Sequence, residues 1–175
     1  VAVPAAGAAP ALAWARSAAL ADTARFAFAE AAGQLTRLRS AVADAGQPLP
    51  DADLVGVLTA EADLRLRSGD AAEASALLSA AWARATATGA ADLLGAVALG
   101  LDRVDARFAM PRADLVAALD TARAALRGAG TVMEATVTAA LARQLQHSVP
   151  TDRPRARPLA DEAVRIARDL GDPAT

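Results

Sequence analysis

Apolar residues recur along this chain at spacings of three and four residues, the pattern that is typical of amphipathic helices. Glycines close the apolar runs at Gly46, Gly89, Gly130 and Gly171, at nearly equal intervals. The second and fourth intervals also share residue types, since positions 77, 81, 85 and 89 match positions 159, 163, 167 and 171. Such a period predicts repeated helix pairs, each ending near one of the four glycines.

Four helix pairs are predicted, over about 11–46, 51–89, 90–130 and 131–171. Their helices are expected over 11–25, 28–45, 51–67, 71–88, 90–107 and 112–127, followed by one that begins at Thr131 and one that begins between Pro154 and Pro158. Proline restricts that last start because it fits a first helical turn and not a helix interior. Residues 11–175 then form a single helical-repeat domain, and residues 1–10 a linker or the boundary of a fragment of a longer protein.

Two motifs mark helix starts within this pattern. Asp70 is followed by Glu73, and Thr131 by Glu134, the spacing by which an N-cap side chain and a reciprocal acidic group satisfy free backbone amides. Apolar residues then line one edge of each helix. The edges expected to be buried comprise Leu54, Leu58, Ala62 and Leu66; Ala74, Leu77, Leu78, Ala81 and Ala85; Leu115, Val116, Leu119, Ala122 and Leu126; Val137, Leu141 and Leu145; and Leu159, Ala163, Ile166, Ala167 and Leu170.

Composition agrees with a helical fold. Alanine, the strongest helix former, supplies 53 of the 175 residues, whereas the chain has two Trp, three Phe and no Tyr. One amphipathic pair cannot bury its apolar face alone, so neighbouring pairs must stack. The expected fold is therefore all-α, an array of about four antiparallel helix hairpins stacked as an α-solenoid.

Charge and cysteine content exclude several classes of function. The net charge of −2 carries no general attraction to nucleic acid or to an anionic membrane. No run of about 18 uncharged apolar residues is present, as a membrane span would require. The absence of cysteine excludes disulfides, thiolate metal sites and cysteine nucleophiles. We expect a soluble, cytoplasmic protein that binds neither nucleic acid through this segment nor a membrane.

Few residues suggest chemistry. His147 is the only histidine, so an ordinary zinc site is not expected, and a role at a helix end is favoured. Ser148 follows it directly, but adjacency in sequence is not the geometry of a catalytic triad. Arg153, Arg155 and Arg157 form the densest basic cluster and could bind phosphate at a helix start, although a solvated loop is the favoured interpretation.

Paired carboxylates are the remaining catalytic pattern. Asp102 and Asp105 lie three residues apart on one helical face, and Asp161 is next to Glu162. Acid/base chemistry needs one carboxyl group shielded and its pKa raised. The sequence shows no such asymmetry, so solvated helix faces are expected. We predict no catalytic site, no cofactor and no metal.

The two tryptophans are the remaining candidates for binding. Trp14 and Trp82 could contact a ligand or a protein partner, because aromatic side chains are enriched in both kinds of site. The simpler interpretation is that each fills space among alanines, and for Trp82 a core position is favoured.

Two segments carry a family resemblance. Residues 62–74, ADLRLRSGDAAEA, and residues 160–173, ADEAVRIARDLGDP, resemble tetratricopeptide-like repeats. More narrowly, they are similar to the repeat region of large actinobacterial ATP-binding transcriptional regulators with a LuxR-type DNA-binding end. The resemblance covers roughly 11–173 and implies a sensing, oligomerising or partner-binding module. The period exceeds the roughly 34 residues of a strict tetratricopeptide repeat, and the ATPase and DNA-binding motifs are not in this sequence.

The leading hypothesis is a noncatalytic helical-repeat module for protein–protein interaction or self-association, within a larger bacterial regulatory protein. The alternative is a domain that senses a small apolar effector. A closed apolar cavity next to Trp82 would favour the sensor, and an open groove with polar side chains would favour the interaction module.

Overall fold

A computed structural model of the protein describes residues 8–105, 112–147 and 151–171. Within these ranges the chain is all-α, with eight α-helices, one short 3-10 helix at Arg153–Arg155 and no strand. The all-α class predicted from the sequence is confirmed. The helices are α1 (Ala8–Thr23), α2 (Phe28–Asp44), α3 (Asp51–Arg67), α4 (Ala71–Thr88), α5 (Ala91–Asp105), α6 (Arg112–Leu126), α7 (Val132–Gln146) and α8 (Ala156–Leu170).

Most helix bounds agree with the sequence pattern. Helices α3 and α4 have the predicted bounds, and α8 begins at Ala156, between the two prolines. The first helix differs, since it begins at Ala8 within the predicted linker and ends at Thr23. The predicted ending of the fifth helix at about residue 107, and Ser148, lie outside the described residues.

The chain divides into two compact units, Val1–Arg84 and Ala85–Thr175. In the first unit, α1 packs on α2 and α2 on α3. In the second unit, α5 packs on α6, α6 on α7 and α7 on α8, and α5 also contacts α7. Consecutive helices thus pack on one another within each unit. The prediction that the chain folds as a single domain stays a prediction.

The predicted apolar edges form a large part of the core, to which α1, α2 and α5 also contribute. All the residues expected to be buried on α4, α6 and α7 are buried, as are those of α3 and α8 with two exceptions. Leu54 is only half-buried, and Leu170 is 39% exposed at the end of its helix, so its predicted burial is wrong. Alanine supplies much of this core, and small side chains allow helix axes to approach closely.

The four glycines adopt the backbone conformation that ends a helix. Their φ angles are positive, from 61° at Gly130 to 71° at Gly171, a region that residues with a Cβ adopt only with strain. One assignment needs correction. Helix α6 ends at Leu126 and is followed by Gly128, also at positive φ, so Gly130 lies in the turn that precedes α7.

Candidate functional site

A charged network is buried between α2 and α3. The carboxylate of Glu61 is fully buried and accepts hydrogen bonds from Nε and Nη2 of Arg39, at 2.8 and 3.1 Å. The Thr36 hydroxyl donates to the same carboxylate at 2.6 Å, and Arg65 donates to Thr36 at 3.2 Å. Every partner of the carboxylate is a donor on α2, so the network joins α2 to α3.

Asp102 is the corresponding group in the second unit, and its environment contradicts the sequence interpretation. The side chain was expected on a solvated helix face, but the residue is only 6% exposed. Its Oδ1 accepts a hydrogen bond from Gln144 at 2.7 Å, and its Oδ2 binds Arg143 in an ion pair. Two long side chains of α7 therefore enclose an aspartate of α5. The side chain of Asp105 lies outside the described residues.

Glu134 fixes the turn between α6 and α7. Thr131 caps α7 as predicted, because its hydroxyl accepts a hydrogen bond from the backbone amide of Glu134. The buried Glu134 carboxylate does not complete the capping box at Thr131. It accepts from the backbone amides of Gly128 at 2.7 Å and Gly130 at 2.8 Å. This carboxylate thus has a structural role in closing the glycine turn.

The other charged candidates lie at the surface. His147 is exposed and forms the C-cap of α7, which confirms the predicted position at a helix end. Asp161 is exposed as predicted, but Glu162 is partly shielded and pairs with Arg123 at 2.7 Å. No group of three or more His, Asp or Glu side chains among the described residues could hold a metal ion.

The arginine cluster is split between a 3-10 helix and the first turn of α8, where a loop had been expected. All three of its side chains are exposed. Arg155 binds both carboxylate oxygens of Asp120, at 2.7 and 2.8 Å. This hydrogen bonding raises the pKa of the Arg155 guanidinium above its usual value. A paired Arg155 is poorly placed to recruit phosphate.

An apolar groove lies between α1 and α3 in the first unit. Its volume is about 360 Å³, and Leu20 on its edge is 70% exposed. Two ion pairs flank it, Arg16 with Asp53 and Arg67 with Asp63. We call this site the α1/α3 groove, and it is lined by Arg16, Ala19, Leu20, Thr23, Leu35, Val57, Ala60, Asp63, Leu64 and Arg67.

A second groove of about 360 Å³ lies between α7 and α8. Its lining residues follow helical spacing on both walls, at 139, 142, 143 and 146 on one helix and at 156, 157, 160, 163 and 164 on the other. We call this site the α7/α8 groove, and it is lined by Ala139, Ala142, Arg143, Gln146, Ala156, Arg157, Ala160, Ala163 and Val164. Neither groove includes Trp14, which is 51% exposed, or Trp82, which is half-buried. Their predicted role as partner contacts stays a prediction, and the predicted core position of Trp82 is met only in part.

The α7/α8 groove corresponds to a surface on α5 and α6 that is covered. The two surfaces are one interval apart in the chain, where one interval is the spacing from Gly89 to Gly130. Helix α7 begins and ends one interval after α5, and the 3-10 helix before α8 begins one interval after α6. Most residues lining the groove therefore correspond to buried positions on α5 and α6, namely Ala98, Leu101, Asp102, Leu115, Val116, Leu119 and Ala122. One interval later, four of these positions are exposed: Ala139, Arg143, Arg157 and Ala160.

The helix that covers the α5/α6 surface is α7, which packs on both of these helices. Met133 of α7 lies so close to Gly95 of α5 that a Cβ there would be 2.9 Å from the Met133 Cγ. Arg143 and Gln144 of α7 bind Asp102, and Glu162 of α8 binds Arg123 of α6. A surface of this kind thus accepts a helix through small apolar residues and a few charged contacts.

Comparison of the chain with family models, with curated proteins and with solved structures finds no match in any of the three. The described helices include none whose length and apolar character would allow it to cross a membrane.

Proposed function

We propose that the chain is a noncatalytic helical-repeat module for protein–protein interaction, and that its α7/α8 groove binds a helix of a partner. The observation that carries this proposal is the correspondence, one interval apart, between the α7/α8 groove and the covered surface of α5 and α6. Helix α7 of the chain packs on the earlier surface, whereas the described residues supply no helix for the later one.

The lining of the groove suits a helix. Alanines at 139, 142, 156, 160 and 163 leave room for a partner backbone, and Val164, which is 44% exposed, gains the most from being covered. Helix packing over such small side chains reaches the short end of the usual range of interaxial distances, roughly 8–10 Å. Removal of apolar surface from water supplies the driving force, at about 25 cal/mol per Å².

The regulatory context is also part of this proposal. The resemblance of 62–74 and 160–173 to repeats of large LuxR-type bacterial regulators supports a cytoplasmic role in which the module holds a regulator to its partner or to another copy.

A helix taken from the chain itself tests the binding role. The probe is a peptide with the sequence of 131–147, since α7 is the helix that covers the corresponding surface on α5 and α6. We expect the full chain to bind it measurably by fluorescence anisotropy. Ala160→Trp fills the groove and should therefore weaken binding at least tenfold. A tenfold loss corresponds to about 1.4 kcal/mol of binding free energy.

Ala117→Trp is the matched control, because Ala117 is exposed on α6 outside the groove. It should bind the probe as the unaltered chain does, and circular dichroism checks that both variants are folded. If Ala160→Trp binds the probe as tightly as Ala117→Trp, the α7/α8 groove is not the binding site.

Sensing of a small apolar effector is the second candidate, and the α1/α3 groove is the observation that favours it. Its volume of about 360 Å³ lies in the range of small-molecule sites, and its walls are mainly apolar. It is an open groove away from Trp82, unlike the closed cavity that the sequence-based alternative required. Ala60→Glu would place a carboxylate in this groove. An apolar compound that raises the melting temperature of the unaltered chain should fail to stabilise this variant.

A further inference from the structure

We infer that the α7/α8 groove selects an acidic amphipathic helix, one whose carboxylate pairs with Arg157 beside Arg143. This inference rests on the proposed binding role and adds the chemistry of the partner. Its basis is the charge of the groove together with the contacts that close the corresponding surface on α5 and α6.

The charged residues that line the groove are both arginines. Arg143 and Arg157 stand on opposite walls, with Gln146 as the remaining polar residue and no carboxylate in the lining. Arg157 is exposed and makes no hydrogen bond or ion pair with any described residue. Asp161, one helical turn further along α8, forms no such pair with it although the spacing would permit one. The groove therefore carries one uncompensated positive charge beside apolar walls.

Arg143 retains capacity for a second acidic partner. Its Nη2 binds Asp102, and its side chain is 51% exposed. A guanidinium has five N–H donors in a planar fork, so a carboxylate on the solvent side can bind without displacing Asp102. The charge of Arg143 is balanced by Asp102, which leaves Arg157 as the main source of attraction.

The charge pattern is inverted relative to the covered surface. On α5 and α6 the receiving positions hold Asp102 and Val116, and the arriving helix α7 brings the cation Arg143. One interval later the same positions hold Arg143 and Arg157. A second copy that offered its own α7 would place like charges together, which costs free energy. Charge complementarity thus favours a helix with a carboxylate at the corresponding place over a second copy of α7.

Three peptides with the sequence of 131–147 test the charge requirement against the full chain. They carry the native Arg143, Arg143→Gln or Arg143→Glu, so that only one side chain changes. At low ionic strength we expect the Glu peptide to bind about fivefold more tightly than the Arg peptide, with the Gln peptide between them, a difference in the range of an exposed ion pair. Added salt should reduce the difference.

Arg157→Glu in the full chain should reverse the order of the three peptides. Arg168→Glu is the matched control, because Arg168 is exposed on the same helix outside the groove and should leave the order unchanged. Equal affinities for all three peptides, or an order that Arg157→Glu does not alter, would overturn the inference while leaving the binding role in place.

The other outcomes are also decisive. If no peptide binds the unaltered chain, the inference and the proposed function both fail. If light scattering shows self-association that Arg157→Glu abolishes, the occupant is a second copy and the acidic partner is ruled out. Competition by unstructured polyglutamate as effective as that by the Glu peptide would show that charge alone is recognised, which also contradicts docking of a helix.

Discussion

Arg39 binds the buried carboxylate of Glu61 through two of its nitrogens, Nε at 2.8 Å and Nη2 at 3.1 Å. The glutamate side chain is fully buried, whereas that of Arg39 remains 29% exposed. Thr36 completes the set of donors from the same helix, α2. The network therefore couples α2 to α3 at a point where an apolar contact would otherwise be expected.

Removal of Arg39 should destabilise the first unit strongly. Arg39→Ala leaves a buried carboxylate with Thr36 as its remaining strong donor, a change that costs about 3–5 kcal/mol for a fully buried pair. Because Arg39 is partly exposed, we expect about 2–3 kcal/mol, measured as the change in unfolding free energy in urea. Arg37→Ala on the exposed side of α2 is the control and should cost less than about 0.5 kcal/mol. Equal effects of the two substitutions would show that the network contributes nothing specific.

The Glu134 turn gives a second prediction. Glu134→Ala removes two charge-assisted hydrogen bonds, to the amides of Gly128 and Gly130, and should cost about 2–3 kcal/mol. Thr131→Ala removes one N-cap bond and should cost about 1 kcal/mol. Urea unfolding should rank the two variants in that order. The reverse order would mean that the cap, rather than the carboxylate in the turn, fixes the start of α7.

Alanine substitution at two helical glycines should change the stability of the chain in opposite directions. Gly56→Ala in α3 meets only the Arg16 side chain at 3.4 Å, so better helix propensity should stabilise the chain by about 0.5–1 kcal/mol. Gly95→Ala in α5 would place a Cβ 2.9 Å from Met133 and 3.0 Å from Leu126. Overpacking of this kind costs about 1–3 kcal/mol, which should outweigh the gain in propensity.

Thermal unfolding of the two alanine variants distinguishes these signs. Met133→Ala should also rescue Gly95→Ala in part, because it removes the side chain that the new methyl group meets. If Gly95→Ala raises the melting temperature as Gly56→Ala does, the close contact of α7 with α5 is not as described.

The helices could be predicted from sequence because their signals are local. Apolar spacing located α3 and α4 to the residue, and the two prolines located the start of α8. The glycine that closes α6 was assigned as Gly130, but Gly128 follows the helix end at Leu126, and both glycines have positive φ. Spacing therefore identifies the helices but does not distinguish between neighbouring glycines at a helix end.

The buried charges could not be predicted, because their partners are distant in sequence. Asp102 and Arg143 lie on different helices, with all of α6 between them in the chain, and no local pattern pairs them. A partial signal existed for Glu61, which follows Leu58 by three residues and precedes Leu64 by three, within an apolar stripe of α3. A carboxylate at such a position calls for a buried cation, but the sequence does not say which arginine supplies it.

The grooves could not be predicted from the sequence, for a different reason. Ala139 and Ala160 have the residue type of core positions, and their counterparts Ala98 and Leu119 are indeed buried. Exposure at the later interval depends on whether another helix pair follows in space, which periodicity does not encode. The repeat thus predicted what kind of residue lies there but not that it is uncovered.

Methyl NMR with the Arg143→Glu form of the 131–147 peptide tests most directly whether the chain is a helix-binding module. Val164 in the α7/α8 groove and Leu20 in the α1/α3 groove are both exposed reporters. We predict saturable shifts of the Val164 methyl signals while those of Leu20 stay unchanged. Shifts at Leu20 with none at Val164, or no shift at either residue, would contradict the account.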